Sequence, residues 1–144
     1  MIRTPETPAE WDAYYQLRYD ILRAPWGQAP GSEKTPDEDA QQHFAYFDEQ
    51  QQIIGVIRLD SCDAQTGQIR FMAVAANAQR KGIGRALMQF TEEKAREKQC
   101  TQMNVHAREH ALEFYTKLGY QYLEKSHLLF GEIQHHLMSK ELKA

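Results

Sequence analysis

The stretch from Phe71 to Met88, FMAVAANAQRKGIGRALM, constrains the fold more than any other part of the chain. A short apolar run passes through small residues into a helical pattern, with Gly82 and Gly84 where the helix begins. A strand feeding a helix this tightly commits the region to a sheet with a helix packed on it. The first turn of a helix carries unpaired N–H groups and a partial positive charge. Small residues there let an anion approach the backbone. Arg80, Lys81 and Arg85 crowd the same end and oppose the helix dipole, at a cost of a few tenths to about 1 kcal/mol each. A bound polyanion offsets that cost, and a phosphate or pyrophosphate is the natural choice. The spacing is not that of a dinucleotide fingerprint, because Leu87 stands where the third glycine belongs, and it is not a P-loop. Taken alone, the glycine pair fits an ordinary basic helix start equally well.

The rest of the chain reads around this unit. Residues 1–5 suit a short strand, and Thr7-Pro8 opens a helix whose apolar stripe runs to Leu22. Residues 24–40, rich in Pro and Gly and then acidic, read as a loop with room for one helical turn. His43–Phe47, Ile53–Leu59 and Gln68–Ala75 read as strands, and Asp48–Gln51 suits a hairpin turn between the first two. A long helix is predicted over Gln79–Gln99, with Ile83, Leu87, Phe90 and Lys94-Ala95 on one face and Glu92, Glu93, Arg96 and Glu97 solvated. A strand over Thr101–His106 precedes a helix over Arg108–Leu118, which Gly119 ends. Tyr120–Glu124 and Gln134–Leu142 close the chain as strands. This order predicts one mixed α/β domain over residues 1–144, a sheet flanked by helices. The length of 144 residues suits a single core.

Composition removes several functions. A net charge of −3 argues against general nucleic-acid binding, which needs a basic surface. No apolar run approaches the roughly 20 residues of a membrane span, and the N-terminus has no signal-like core. The two cysteines, Cys62 and Cys100, have no ligand spacing, so neither a disulfide framework nor a zinc site is expected and a cytoplasmic location fits.

Two segments carry a resemblance. QRKGIGRAL, residues 79–87, resembles the Q/R-x-x-G-x-G/A segment of the GCN5-related N-acetyltransferases (GNAT family), and Met72-Ala73-Val74 resembles the strand end before it. ALEFYTKLGY, residues 111–120, is similar to that family's A-x-x-F-Y-x-x-L-G-F/Y segment. Two such motifs in order are far more specific than either alone. Residues 132–138, EIQHHLM, resemble the G-I-P-H-x-x-M ending of the small ElaA-like and YjcF-like bacterial acetyltransferases, with Glu132 and Gln134 in place of Gly and Pro. Arg108 stands where many members carry Asn.

The resemblance implies a mostly antiparallel central sheet of six to seven strands flanked by helices. It implies an acetyl-CoA-dependent N-acetyltransferase that moves acetyl to a primary amine of a small molecule or protein by direct attack. Gln79, Arg80, Lys81, Gly82, Ile83, Gly84 and Arg85 are then the pyrophosphate cradle. Met72, Ala73 and Val74 receive the pantetheine arm and polarise the thioester. Tyr115 is the candidate acid for the departing thiolate, set against its reading as a packed core tyrosine. His106 is a candidate base, though a structural histidine is the plainer reading. His135 and His136, adjacent on a strand, point to opposite faces, so no metal is expected. Glu33 and Asp37-Glu38-Asp39 read as solvated charge, or else as an attractor for a cationic acceptor. The expected partner is an amine acceptor, with no nucleic acid and no membrane, in a monomer or homodimer. The competing readings are a non-catalytic CoA-binding regulatory domain and a binding module built on the Arg80-Lys81-Arg85 patch.

Overall fold

The computed structural model describes every residue except Cys62, Ala64 and Ala144. The expectation for Cys62 therefore lies outside the described residues, while Cys100 is a buried free thiol. The chain runs β1 (Ile2–Arg3), α1 (Pro8–Leu22), β2 (Gln42–Phe47), β3 (Ile53–Ser61), β4 (Thr66–Val74), α2 (Ile83–Glu97), β5 (Gln102–Arg108), α3 (Leu112–Lys117), β6 (Gln121–Leu129) and β7 (Ile133–Glu141). The strands form a seven-stranded sheet in the order β1-β2-β3-β4-β5-β7-β6. β4 and β5 pair in parallel, whereas β1–β2, β2–β3, β5–β7 and β6–β7 are antiparallel. The element order is the one expected from the sequence.

By its internal contacts the chain divides into two compact parts, Met1–Leu59 with Phe71–Thr91, and Asp60–Arg70 with Glu92–Ala144. In the first part, Thr7 caps α1 by accepting from Glu10 N at 3.1 Å, and Pro8 sits in the first turn where its missing N–H costs nothing. Arg3 holds the Glu10 carboxylate with two bonds of 2.9 Å, tying β1 to the start of α1. The hairpin between β2 and β3 turns on Asp48, whose carboxylate accepts from Gln50 N and Gln52 N. The core of this part gathers Tyr14, Leu22, Ala45, Phe47, Val56 and Ala73. One contact depends on a residue that sequence patterning undervalues. A Cβ on Gly55 would lie 2.9 Å from both Ile83 Cγ2 and Leu87 Cδ1, so any other residue there would push these two α2 side chains aside.

In the second part, α3 ends in a Schellman motif. Gly119, at φ +97°, donates to Thr116 O, and Tyr120 N donates to Tyr115 O, both at 3.0 Å. The expected apolar contact across that motif is the edge-on pair of the Tyr115 and Tyr120 rings, 5.7 Å apart. Glu92, expected to be solvated, is instead buried at 4% exposure. It accepts Tyr120 Oη at 2.8 Å and Lys140 Nζ at 2.9 Å, and these charge-assisted partners make the burial affordable.

Candidate active site

The first part holds the expected cradle. The parallel ladder of β4 with β5 covers Thr66–Ile69, and Met72, Ala73 and Val74 lie beyond it. Phe71, between the two stretches, adopts φ +53°, a left-handed conformation costly for a bulky side chain, so the strand bends there rather than continuing evenly. A turn over Ala76–Ala78 follows, tied to the strand end by Gln79 Nε2 donating to Val74 O at 3.1 Å.

The helix begins later than the sequence pattern predicts, at Ile83 rather than Gln79. Arg80 at φ +66° and Gly82 at φ +82° twist the chain through two left-handed residues first. The first helical bond runs from Ala86 N to Gly82 O at 3.0 Å, so the N–H groups of Ile83, Gly84 and Arg85 stand ahead of the ladder. A left-handed glycine directly before a helix turns successive N–H groups to one side, which suits an anion there. Ile83 is buried and anchors the turn, while Gln79, Arg80, Lys81, Gly82 and Arg85 are exposed. Among the described residues, Arg80, Lys81 and Arg85 have no carboxylate within ion-pair distance, whereas Arg3, Arg18 and Arg58 in the same part do. The residues present therefore fit a polyanionic cofactor arm: free N–H donors, unpaired cations and no side chain at Gly82.

Behind this lies a charged core that the sequence does not announce. Arg18 and Arg58 are both fully buried, at 0% exposure, and share Glu38, itself at 7%. Arg18 Nη1 donates to Glu38 Oε2 at 2.9 Å and Arg58 Nη1 to the same oxygen at 2.7 Å. Burial works against the Glu38 carboxylate, but the Thr35 N–H and the two arginines outweigh it and hold its pKa below the usual range. His43 closes the group. Its Nε2 donates to Glu38 O at 2.7 Å, so its Nδ1 accepts the Tyr14 hydroxyl at 2.9 Å, and burial lowers its pKa. Phe71 packs under this cluster with the Arg18 guanidinium 4.4 Å above its ring. Glu33 is also buried, accepting from Gly31 N at 2.8 Å. The expectation that Glu33 and Glu38 are solvated is thus corrected: both serve to hold the loop over residues 24–41.

The second part holds Tyr115. It is 5% exposed, edge-on to Phe114 at 5.0 Å and to Tyr120 at 5.7 Å. Burial raises its pKa, with nearby Arg108 pulling weakly the other way, so the phenol keeps its proton throughout the neutral range. Among the described residues its hydroxyl has no hydrogen-bond partner. Tyr120 is the contrast, its hydroxyl bonded to Glu92. His106 accepts or donates with Ser126 Oγ at 3.0 Å and lies 5.3 Å from the His127 ring, and burial lowers its pKa. His127 stacks on His135 at 4.3 Å and 18°, a parallel arrangement in which ring nitrogens do not converge. His136, on the other face of β7, bonds Tyr122 Oη at 3.0 Å. Among the described residues no group of three or more His, Cys, Asp or Glu is placed to hold a metal, and no helix is long and apolar enough to cross a membrane.

The profile of the Acetyltransferase (GNAT) domain matches residues 29–142. Solved structures agree in fold. A candidate N-acetyltransferase from Lactobacillus plantarum superposes at TM-score 0.88 with 21% identity, over 99% of this chain and 98% of that one. An aminoglycoside 6'-N-acetyltransferase complexed with coenzyme A gives 0.82 at 16% identity, over 100% and 98%. Escherichia coli ElaA gives 0.76 at 18% identity, over 98% and 97%. With most of its length inside the family profile and a seven-stranded sheet to match, this chain belongs to the GNAT family of acetyl-CoA-dependent acetyltransferases.

Proposed function

We propose that residues 1–144 act as one cytoplasmic acetyltransferase domain that moves acetyl from acetyl-CoA to a primary amine. The acceptor is a small molecule or a protein, and the neutral amine attacks directly, its nitrogen losing a proton to water as the amide forms and the C–S bond breaks. The observation that carries this reading is the start of α2. There, N–H groups ahead of the helical ladder stand beside the cations Arg80, Lys81 and Arg85, which have no carboxylate partner among the described residues.

Each residue then has a role. The N–H groups from Gln79 to Arg85 hold the pyrophosphate, with the three cations neutralising it. Gly82 keeps the approach open, since nothing lies within 4 Å of where its Cβ would be. The Met72, Ala73 and Val74 backbone pairs with the pantetheine arm and donates to the thioester oxygen as charge develops there. Acetyl-CoA supplies a thioester whose thiolate is the leaving group. Tyr115 donates its proton, or a hydrogen bond, to that sulfur. Its hydroxyl, without a hydrogen-bond partner among the described residues, supports this role over that of a core tyrosine. Positioned acid–base groups contribute about 10²–10⁴-fold to rate.

The test is release of free thiol from acetyl-CoA with a panel of primary amines. Tyr115→Phe should slow the turnover number about a hundredfold and leave the KM for acetyl-CoA nearly unchanged. An unchanged turnover number removes Tyr115 from the mechanism. Binding of acetyl-CoA without turnover of any amine would favour the non-catalytic reading.

A further inference from the structure

The second part of the chain gathers basic side chains on one face of its strands, and acetyl transfer as described above uses none of them. β5 alternates: Met103, Val105 and Ala107 are buried, while His106 and Arg108 lie on the other, less covered face. Across the antiparallel ladder Arg108 stands opposite His135 of β7, and residues opposite each other share a face. β6 joins them through a bulge. Lys125 pairs with His136 and Leu128 with Gln134, so Ser126 and His127 together oppose His135 alone. Both bulged side chains reach the same face. Ser126 Oγ meets His106 Nδ1 at 3.0 Å, and the His127 ring stacks on His135 at 4.3 Å and 18°. The His106 and His127 rings are 5.3 Å apart. On the other side of β5, Arg70 follows Ile69, the partner of Val105, and so lies beside His106; its guanidinium is 3.8 Å from Asp60.

Three histidines and two arginines thus share one patch. Among the described residues no carboxylate lies within ion-pair distance of His106, His127 or His135. His135 gives its Nδ1–H to Ile133 O at 3.0 Å, so its Nε2 holds the lone pair and gains an N–H on protonation. Rings stacked in parallel do not aim lone pairs at one point, as a metal ion requires. Protonated, they put positive charge on one face, as an anion requires. Burial first, then the charge of neighbouring histidines and arginines, holds all three histidines below their ordinary pKa. A second proton on the stacked pair is opposed by the first until a counter-charge arrives.

We propose that this face of β4–β7 binds a small divalent oxyanion, phosphate or sulfate in kind, and that its binding draws protons from water onto His127 and His135. Every residue involved lies in the second part and none belongs to the cradle, so the site stands whether or not the acetyl-transfer reading does.

The probe is sulfate, which keeps its full double charge between about pH 5.5 and 7.5, so any pH dependence of binding belongs to the protein. Sodium sulfate is titrated without acetyl-CoA, against sodium chloride at equal ionic strength, and followed by NMR through the histidine ring signals. His127→Gln and His135→Gln assign two of those signals by their loss. The expected outcome is a saturable movement of the His127 and His135 signals, with sulfate bound about tenfold more tightly at the lower pH. His127 is exposed, so His127→Gln should leave the melting temperature in place while cutting that tightening to about threefold or less. Arg85→Glu, at the cradle, should change neither result. A ring response that disappears in Arg85→Glu would assign the anion to the cradle and overturn the proposal. Equal affinity at the two pH values, an undiminished pH dependence in His127→Gln, or ring signals that move no more with sulfate than with chloride would each overturn it as well.

Discussion

Two sets of cations in the first part of the chain are treated in opposite ways. Arg18 and Arg58 are buried and both are given Glu38, with Asp37 added to Arg58 at 3.2 Å. Arg80, Lys81 and Arg85 lie at the start of α2, where the helix dipole disfavours them, and have no carboxylate partner among the described residues. The first set is what structural charge looks like: desolvated, paired and expensive to disturb. The second has the marks of charge kept for a ligand. The same contrast recurs between two neighbouring tyrosines of the second part. The Tyr120 hydroxyl is spent on Glu92, whereas the Tyr115 hydroxyl has no partner among the described residues. What separates fold from function here is not burial or residue type but whether a polar group's bonds are already made.

The sharpest way to break this comparison is to remove a partner from the spent set. Glu38→Gln leaves two buried guanidinium groups without their shared charge and should cost about 3–5 kcal/mol in urea unfolding. A loss below about 1 kcal/mol would mean the network is open to water. Next in size is the pair of tyrosines. Tyr115→Phe should lose about a hundredfold in turnover number with little change in stability. Tyr120→Phe should do the reverse, losing about 1–3 kcal/mol because Glu92 forfeits a buried bond, with turnover nearly intact. Swapped outcomes would reverse the assignment.

Charge reversal at the cradle should split two readouts. Arg85→Glu places an acid in the first turn of α2 and should raise the stability of the free protein by a few tenths to about 1 kcal/mol. The same change should weaken acetyl-CoA about tenfold or more, read by calorimetric titration. A variant that binds as well as wild type would show that Arg85 is only a surface charge.

The smallest effect is on acid stability. Burial, aided by the neighbouring His127, Arg108 and His106, lowers the His135 pKa to about 4 from an ordinary value near 6.5. A histidine depressed in the fold is neutral there while the unfolded chain takes up a proton. Its contribution is therefore complete above about pH 6.5 and is lost as pH falls toward 4. The melting temperature should decline across that window, and His135→Gln should flatten part of the decline. An equally steep decline in that variant would assign the effect to other groups.

Much of this was legible in the sequence because the signals are local. The Thr7 cap, the turn at Asp48, the glycine that ends α3 and the strand-to-helix passage at Gly82 each depend on residues within a few positions. The element order follows from them. What was not legible depends on distance along the chain. Arg18 meets Glu38 across 20 residues, and Glu92 meets Tyr120 across 28 and Lys140 across 48. A charged residue on a predicted helix or loop reads as solvated until its partner is placed, as Glu92 on α2 and Glu33 and Glu38 on the loop show. Gly55 shows the same limit in another form. Within a strand it signals weakness, and only the Ile83 and Leu87 side chains at 2.9 Å explain it. At the candidate site, the motif residues were visible, but the late start of α2 was not, because Arg80 takes a left-handed conformation that non-glycine residues rarely adopt.

The most direct test of the central claim is a thermal-shift titration with acetyl-CoA on wild type and Gly82→Glu, each against its own unliganded baseline. A ligand at a hundred times its Kd stabilises the native state by about 2.7 kcal/mol, a shift of several degrees for a chain of this size. The account predicts a dose-dependent rise for wild type and none for Gly82→Glu, whose carboxylate would stand in the phosphate cradle. Equal rises in the two proteins would place the cofactor elsewhere, and no rise in wild type would contradict the cradle outright.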